Sequence, residues 1–261
     1  MSTPAPHSDL PSVFDDGDLY DLIGADLPYG LEHYVGLARA AQGPVLDVAC
    51  GTGRILIPSL EAGADIEGLD FYEPMLNRLR AKAAARGLSP RLHQADMSDF
   101  ALPRRFAAIM IPFNAFIHNL TAESQIRCLQ TCREHLLPGG TLTFDTFFPS
   151  LEYLSYPQGT RVLEGELPHP QTGLPIRMYD TRTFDRIAQI QYSVNEMELL
   201  DADGAVATTH RSQSSGRYFF KCEMELLLRL AGFTRWEIWG DFDRRPVTRE
   251  EDALIVTAWN D

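Results

Sequence analysis

From Gly43 onward, short apolar runs alternate with amphipathic stretches, the pattern of parallel strands buried between two layers of helices. The run PVLDVA (44–49) predicts a first strand, followed by a glycine turn and a helix that continues to Ala62 and stops at Gly63. ADIEGLD (64–70) predicts the second strand. The helix after it opens at Glu73 with Pro74 in its first turn, where a missing N–H does no harm, and closes at Gly87. RLHQAD (91–96) and FAAIMIP (106–112) predict strands three and four. A helix capped by Thr121 then runs to the stop LLPGG (136–140), and TLTFDTF (141–147) is the fifth strand.

The pattern changes between Pro149 and about Gly216. There RMYDTRTF, IAQIQYSVNEMELL and VATTHRSQS read as antiparallel strands, with a turn at Asp203 and Gly204. A helix over 221–231 and two further runs, FTRWEIWGDF and ALIVTAW, return the chain to the main sheet. The expected fold is therefore α/β, a Rossmann-like sheet of seven strands with helices on both faces, an inserted antiparallel β-sheet cap and an N-terminal helical lid. The predicted divisions are a tail and helical lid over 1–42, a core over 43–149 and 217–261, and a cap over 150–216. The first dozen residues are rich in Pro and Ser and predict a frayed end, with helix from Val13 to Gln42.

Composition narrows the functions open to such a fold. A formal charge of −13 and the lack of a clustered Lys/Arg tract argue against nucleic acid as partner. The start has no basic and apolar leader pattern, and no uninterrupted apolar run is long enough to span a bilayer, so a cytoplasmic location without membrane contact is expected. Cys50, Cys128, Cys132 and Cys222 do not form a disulfide framework. Cys128 and Cys132 lie four apart on a predicted helix and read as packing, so no metal is assigned.

The sharpest chemical signal is VLDVACGTGR, an apolar strand ending in an acid and then a turn in which Gly51 and Gly53 admit close backbone approach by a ligand. A dinucleotide fingerprint needs a further glycine, but Leu56 follows in one register and Arg54 in the other, which disfavours nicotinamide or flavin. Asp70 ends the second strand 23 positions after Asp47 (70 minus 47), where a carboxylate can accept from both ribose hydroxyls. Asp96 ends the third, positioned for an adenine amino group, with the Met97 N–H beside the ring and Phe71 and Met75 as apolar walls.

Together VLDVACGTG, GLDFYEPML, QADM, IPFNAFIH and LLPGG resemble the class I S-adenosylmethionine-dependent methyltransferases, over about 44–146. The first motif, the Asn114-x-Phe116-x-His118 stretch and the insertion are most similar to glycine N-methyltransferase and the amino-sugar N,N-dimethyltransferases. The resemblance implies S-adenosyl-L-methionine as cofactor and S-adenosyl-L-homocysteine as product. It implies that Asp47, Ala49, Gly51 and Gly53 hold the methionine part, Asp70 the ribose, Asp96 the adenine, and that Tyr20 covers the cofactor. Ala49 stands where many members have glycine, which reads as a small change, and Ala115 stands where relatives have serine.

Pro112, Phe113 and Asn114, on the loop after the fourth strand, are expected to touch cofactor or acceptor. His118 lies beside the expected sulfonium and is the candidate catalytic group, able to orient or deprotonate an acceptor. Asp145, Tyr29, His210, Arg211 and Tyr218 are weaker candidates, each explained as well by structure. The expected activity is methylation of a small-molecule acceptor, at nitrogen, with O-methylation and a non-catalytic cofactor-binding regulator as alternatives. The inserted sheet serves as an acceptor cap or, alternatively, as a homodimer interface.

Overall fold

The computed structural model describes residues 9–24 and 28–261, without the side chains of residues 23 and 24. Two short helices, α1 (Gly17–Gly24) and α2 (Leu31–Ala40), precede the first strand, β1 (Val45–Val48). Then follow α3 (Leu56–Glu61), β2 (Ile66–Asp70), α4 (Glu73–Ala84), β3 (Arg91–Gln94) and β4 (Phe106–Ile111). A 3-10 turn (Ala115–His118) leads into α5 (Ala122–His135) and the long β5 (Leu136–Phe147). After α6 (Leu151–Leu154) come four strands in succession, β6 (Arg161–Pro168), β7 (Pro175–Asp185), β8 (Ile190–Leu200) and β9 (Val206–Arg217). Helix α7 (Lys221–Leu230), β10 (Arg235–Trp239) and β11 (Ala253–Trp259) complete the chain.

The main sheet has seven strands in the order β10-β11-β5-β4-β1-β2-β3, and β6 to β9 form a separate antiparallel sheet of four. In the main sheet β1 runs parallel to both β2 and β4, and β11 runs antiparallel to β5 and β10. The order turns back at β1, so the crevice at the carboxyl ends of β1 and β4 is where a ligand finds room. Burial on both faces explains the unbroken apolar runs. Leu46, Val48, Ile109 and Ile111 enter one core cluster under α5 and α7, while Val45, Ala108 and Met110 enter the other under α2, α3 and α4. Cys128 and Cys132 are fully buried in the first cluster.

Helix α5 starts as expected at Thr121, whose Oγ1 accepts from the Ser124 N–H at 3.1 Å while the Ser124 hydroxyl accepts from the Thr121 N–H. Four expectations need correction. The stretch read as one helix over 13–42 is two, and α2 is part of the core: Tyr34 is fully buried on it. Residues 10–12, expected to fray, and Val13, expected to begin a helix, lie along β9, with Val13 N donating to Gln213 O and Gln213 N donating to Pro11 O. LLPGG does end α5, with Leu136 as its C-cap, but it is also the start of β5, which was expected only from Thr141, Leu136 pairing with Phe106. Finally β6 escaped notice because it is an edge strand whose exposed positions include the charged Arg161, Glu164 and Glu166, the usual protection of an open edge. Among the described residues no helix is long and apolar enough to cross a membrane.

Candidate active site

The floor of the crevice is the end of β1. Asp47 is 1% exposed there, and neither of its carboxylate oxygens has a hydrogen-bond partner. Burial, and then the nearby Asp70 charge, push its pKa up to about 8, with Arg54 opposing. The turn that follows holds two left-handed residues, Ala49 (φ 56°) and Gly51 (φ 55°). The Gly51 N–H donates to Asp70 Oδ2 at 2.8 Å, and Tyr72 N–H donates to Asp70 Oδ1 at 2.9 Å, so Asp70 shapes the turn as well as facing the crevice. Gly53 also has a positive φ (88°), but a Cβ there would meet Leu79 at 2.8 Å and Ile57 at 3.0 Å. Its glycine is therefore required by its left-handed φ and by close packing of α3 and α4, and it does not line the crevice, where ligand approach was expected.

The opposite wall is the loop after β4. Phe113 (φ 59°) and Asn114 (φ 57°) are both left-handed, a conformation that persists only when the surroundings impose it. Asp145 on β5 does this. Its carboxylate accepts from the Phe113 N–H at 2.8 Å, the Asn114 N–H at 2.9 Å and the Tyr34 hydroxyl at 2.5 Å. Asp145 is fully buried and structural, not an acceptor contact. Beyond the loop, the 3-10 turn carries His118. Its Nδ1 donates to Ser215 O of β9 at 2.8 Å, and burial lowers its pKa, so the neutral ring carries its lone pair on Nε2.

Three segments roof the crevice. Helix α1 is anchored by Asp21, which accepts from Thr52 Oγ1 at 2.6 Å and pairs with Arg78 and Lys82 at 2.7 and 2.9 Å. Residues 10–14 form a strap. Gln213 Nε2 donates to Leu10 O at 2.6 Å, Ser12 Oγ bonds the Tyr72 hydroxyl at 3.3 Å, and the Phe14 ring lies 5.0 Å from His118, edge to face. The inserted sheet closes the rest through Ser193 and Asn195 of β8 and Gln213 to Ser215 of β9. The cavity between these walls, open on one side, has a volume of about 640 Å³. A smaller annex of about 40 Å³ adjoins it, lined by Asp47, Arg54, Thr52, Tyr20 and Phe113.

These walls fit S-adenosylmethionine. The unpartnered Asp47 carboxylate beside Arg54 offers opposite charges to an amino-acid end, and Asp70 retains lone pairs for a ribose diol. Phe71, Met75 and Met97 offer apolar surface to a ring. Residues 45–140 match the family described as Methyltransferase domain. The chain carries a class I S-adenosylmethionine-dependent methyltransferase domain.

This methyltransferase domain has named relatives. The chain is 32% identical over 141 residues to dTDP-3-amino-3,4,6-trideoxy-alpha-D-glucopyranose N,N-dimethyltransferase of Streptomyces venezuelae, covering 51% of this chain and 58% of that one. The chain thus spans less than two thirds of that relative's length. It is 27% identical over 252 residues to cypemycin N-terminal methyltransferase of a Streptomyces species, covering 94% and 97%. In fold it is similar to the CcbJ methyltransferase from Streptomyces caelestis, with TM-score 0.74, 24% identity and coverage of 95% and 97%.

Of the residues predicted to form the methyltransferase site, Tyr20, Ala49, Gly51, Asp70, Phe71 and Met75 line the main cavity. So do Met97, Pro112, Phe113 and His118, while Asp47 lies in the annex. Three do not line either space. Gly53 packs against α4. Asp96 is exposed and its Oδ1 accepts from the Ser98 N–H and hydroxyl, closing its own turn, although its neighbours Ala95 and Met97 line the wall. Asn114 contributes its backbone to the Asp145 clamp, and its side-chain oxygen is buried without a partner. Among the weaker candidates, Tyr29 meets Phe113 and Phe242 edge to face, Tyr218 is buried against Tyr153, and His210 and Arg211 lie away from the cavity.

Sequence reading missed Arg54, whose guanidinium lies 3.9 Å from the Phe113 ring centre and donates to Tyr29 O at 3.2 Å. Its place directly after the glycine turn was a usable signal. It also missed the strap and the polar residues of β8 and β9, which no local pattern marks.

Proposed function

We propose that this protein transfers a methyl group from S-adenosylmethionine to an amine nitrogen of a small molecule. One observation carries the reading: a buried carboxylate pair, Asp47 and Asp70, at the strand ends of a cavity that continues to a neutral histidine under a separate polar roof. In this reading Asp47 and Arg54 hold the amino-acid end of the cofactor, Asp70 its ribose, and Tyr20 covers it. Asp96 reaches the adenine only from the rim. Bound there, the cofactor supplies a methyl carbon whose bond to sulfur breaks with both electrons passing to sulfur.

The protein's part is to hold the acceptor in line and to exclude water, which is where most of the barrier reduction in such displacements arises. The strap, α1 and the cap over 150–216 serve that end. His118 accepts a hydrogen bond or a proton from the acceptor at Nε2, a role its lowered pKa suits at neutral pH. An amine acceptor needs only such a modest base, whereas an alcohol needs a stronger one. The names of both sequence relatives, one for an amino sugar and one for a peptide N-terminus, support nitrogen as the target.

The test is incubation with methyl-labelled cofactor and a panel of small amines and hydroxyl compounds, with products identified by mass spectrometry. Label on nitrogen is expected. Label on oxygen only would replace the N-methyl reading, and S-adenosylhomocysteine binding without any labelled product would favour a non-catalytic regulator.

A further inference from the structure

We propose that the acceptor carries no phosphate or comparable strong anion, so that an amine linked to a nucleotide diphosphate is not the substrate. The inference rests on the N-methylation reading and concerns the rest of the acceptor molecule. The acceptor half of the cavity is walled by the strap, His118, Ser193, Asn195, Gln213 and Ser214. No lysine or arginine lines the main cavity among the described residues, and residues 1–8 and 25–27 contain neither.

Arginines of the cap strands beside this wall are engaged by acids, Arg211 by Glu196 at 3.4 Å. Arg182 pairs across the sheet with Ser193, yet its Nε donates to Asp180 Oδ2 at 2.6 Å, it pairs with Glu164 at 3.1 Å, and it lies over the Tyr156 ring. Arg217, at the end of β9, pairs with Glu223 at 3.0 Å and donates to Gln125. Arg54 lies in the annex beside Asp47, where the amino-acid end of the cofactor belongs.

Negative charge, by contrast, backs the wall. Asp180 is 7% exposed, accepts from the Ser193 hydroxyl at 3.2 Å, and keeps one buried oxygen without a partner. Asp70 faces the same cavity, and the whole chain carries −13. In a nucleotide-linked amino sugar the diphosphate is joined to the ring that bears the amine. With the amine at the sulfonium, the diphosphate would lie one ring away against this wall, where no lining cation compensates its charge and buried carboxylates oppose it. What the wall does offer is neutral hydrogen bonding. Asn195 Nδ2 donates to Ser214 Oγ at 3.2 Å, and Ser193 and Gln213 lie alongside, a surface for the hydroxyl or amide groups of an uncharged or cationic amine.

Two measurements test this. The protein is first saturated with S-adenosylhomocysteine, and failure of that step would count against the methyltransferase reading itself. Thymidine diphosphate is then titrated into the complex by calorimetry. No saturable binding up to about 1 mM is expected, and a Kd below about 1 mM would overturn the proposal. In parallel, one amino sugar is offered as its methyl glycoside and as its thymidine diphosphate ester. Where either is methylated, the glycoside should show kcat/KM at least about a hundredfold higher, and preference for the diphosphate ester would overturn the proposal while leaving N-methylation intact.

Discussion

Replacing Asp47 with asparagine should stabilise the ligand-free protein and weaken its hold on the cofactor. The buried carboxyl has its pKa raised from 3.8 to about 8, chiefly by burial. In the unfolded chain the same group ionises near its ordinary value, so between about pH 4 and 8 the folded state holds a proton that the unfolded state has lost. Stability therefore falls as pH rises, by about 1.4 kcal/mol per unit through that window. Above pH 8 the full cost is about 6 kcal/mol. Asparagine has nearly the same shape and does not titrate, so the variant's advantage over wild type should grow with pH up to about 8 and then level off. Urea denaturation of both proteins without ligand, from pH 5.5 to 8.5, measures this. Calorimetry with S-adenosylhomocysteine should show wild-type affinity improving over the same range and weak binding by the variant throughout. Parallel stability curves, or a variant less stable than wild type at pH 8.5, would refute the claim that Asp47 is an unpaired buried acid awaiting a cation.

Three further outcomes are expected. His118→Gln should lower kcat about a hundredfold with the S-adenosylhomocysteine Kd unchanged, and because burial lowers the histidine's pKa, any loss of wild-type kcat from this group as pH falls should have its midpoint below 6.5; a fall in cofactor affinity would assign the residue to structure instead. Ala49→Gly should raise Tm by roughly 2–4 °C, since φ 56° costs a side chain about 1 kcal/mol that glycine escapes, and an unchanged or lower Tm in a thermal melt would show that the Cβ contributes compensating contacts. Asp21→Ala should destabilise by about 2 kcal/mol at pH 7 by leaving Arg78 and Lys82 without their shared carboxylate. As the Asp21 pKa is lowered, that difference should vanish as pH falls below about 4, and a pH-independent difference in chemical denaturation would count against the ion-pair origin.

The parts of the fold visible in the sequence are those whose cause is local. A strand buried on both faces must be a run of apolar residues, so β1, β2, β4 and β11 were legible, and an acid at the end of such a run, as at Asp47 and Asp70, is conspicuous because nothing in the core wants it. Roles that depend on distant partners were not legible. A glycine needed for ligand approach and one needed for helix packing look alike, and only Leu79 beneath it assigns Gly53 to the second kind. Ala49 looked like a mild substitution until its left-handed φ was known. Asp145 reads as one more strand-end acid, and its true task appears only when the Phe113 and Asn114 amides and the Tyr34 hydroxyl converge on it. The strap depends on the pairing of Ser12 with Gln213, two segments far apart in sequence, which no periodicity announces.

The distribution of these long-range ties says how the site is assembled. The cofactor half rests on strand ends whose backbone amides grip Asp70 and Asp145, so its geometry belongs to the main sheet. The acceptor half depends on docking of the cap. Ser215 O receives the His118 Nδ1–H, and Gly216 lies so close to the 3-10 turn that an added Cβ would meet Ile117 at 2.8 Å. The strap in turn hydrogen-bonds to Gln213 of the same strand and lays Phe14 against the same histidine. One strand, β9, therefore joins cap, strap and candidate base. In the proposed reading the polar side chains that meet the acceptor lie on β8 and β9 while the groups that meet the cofactor lie on β1, β2 and the β4 loop, so substitutions in the cap are expected to change which acceptor is used without disturbing the cofactor's seat. This division also lets a chain share its methyltransferase core with relatives named for amino-sugar and peptide acceptors and still present a wall without cations of its own.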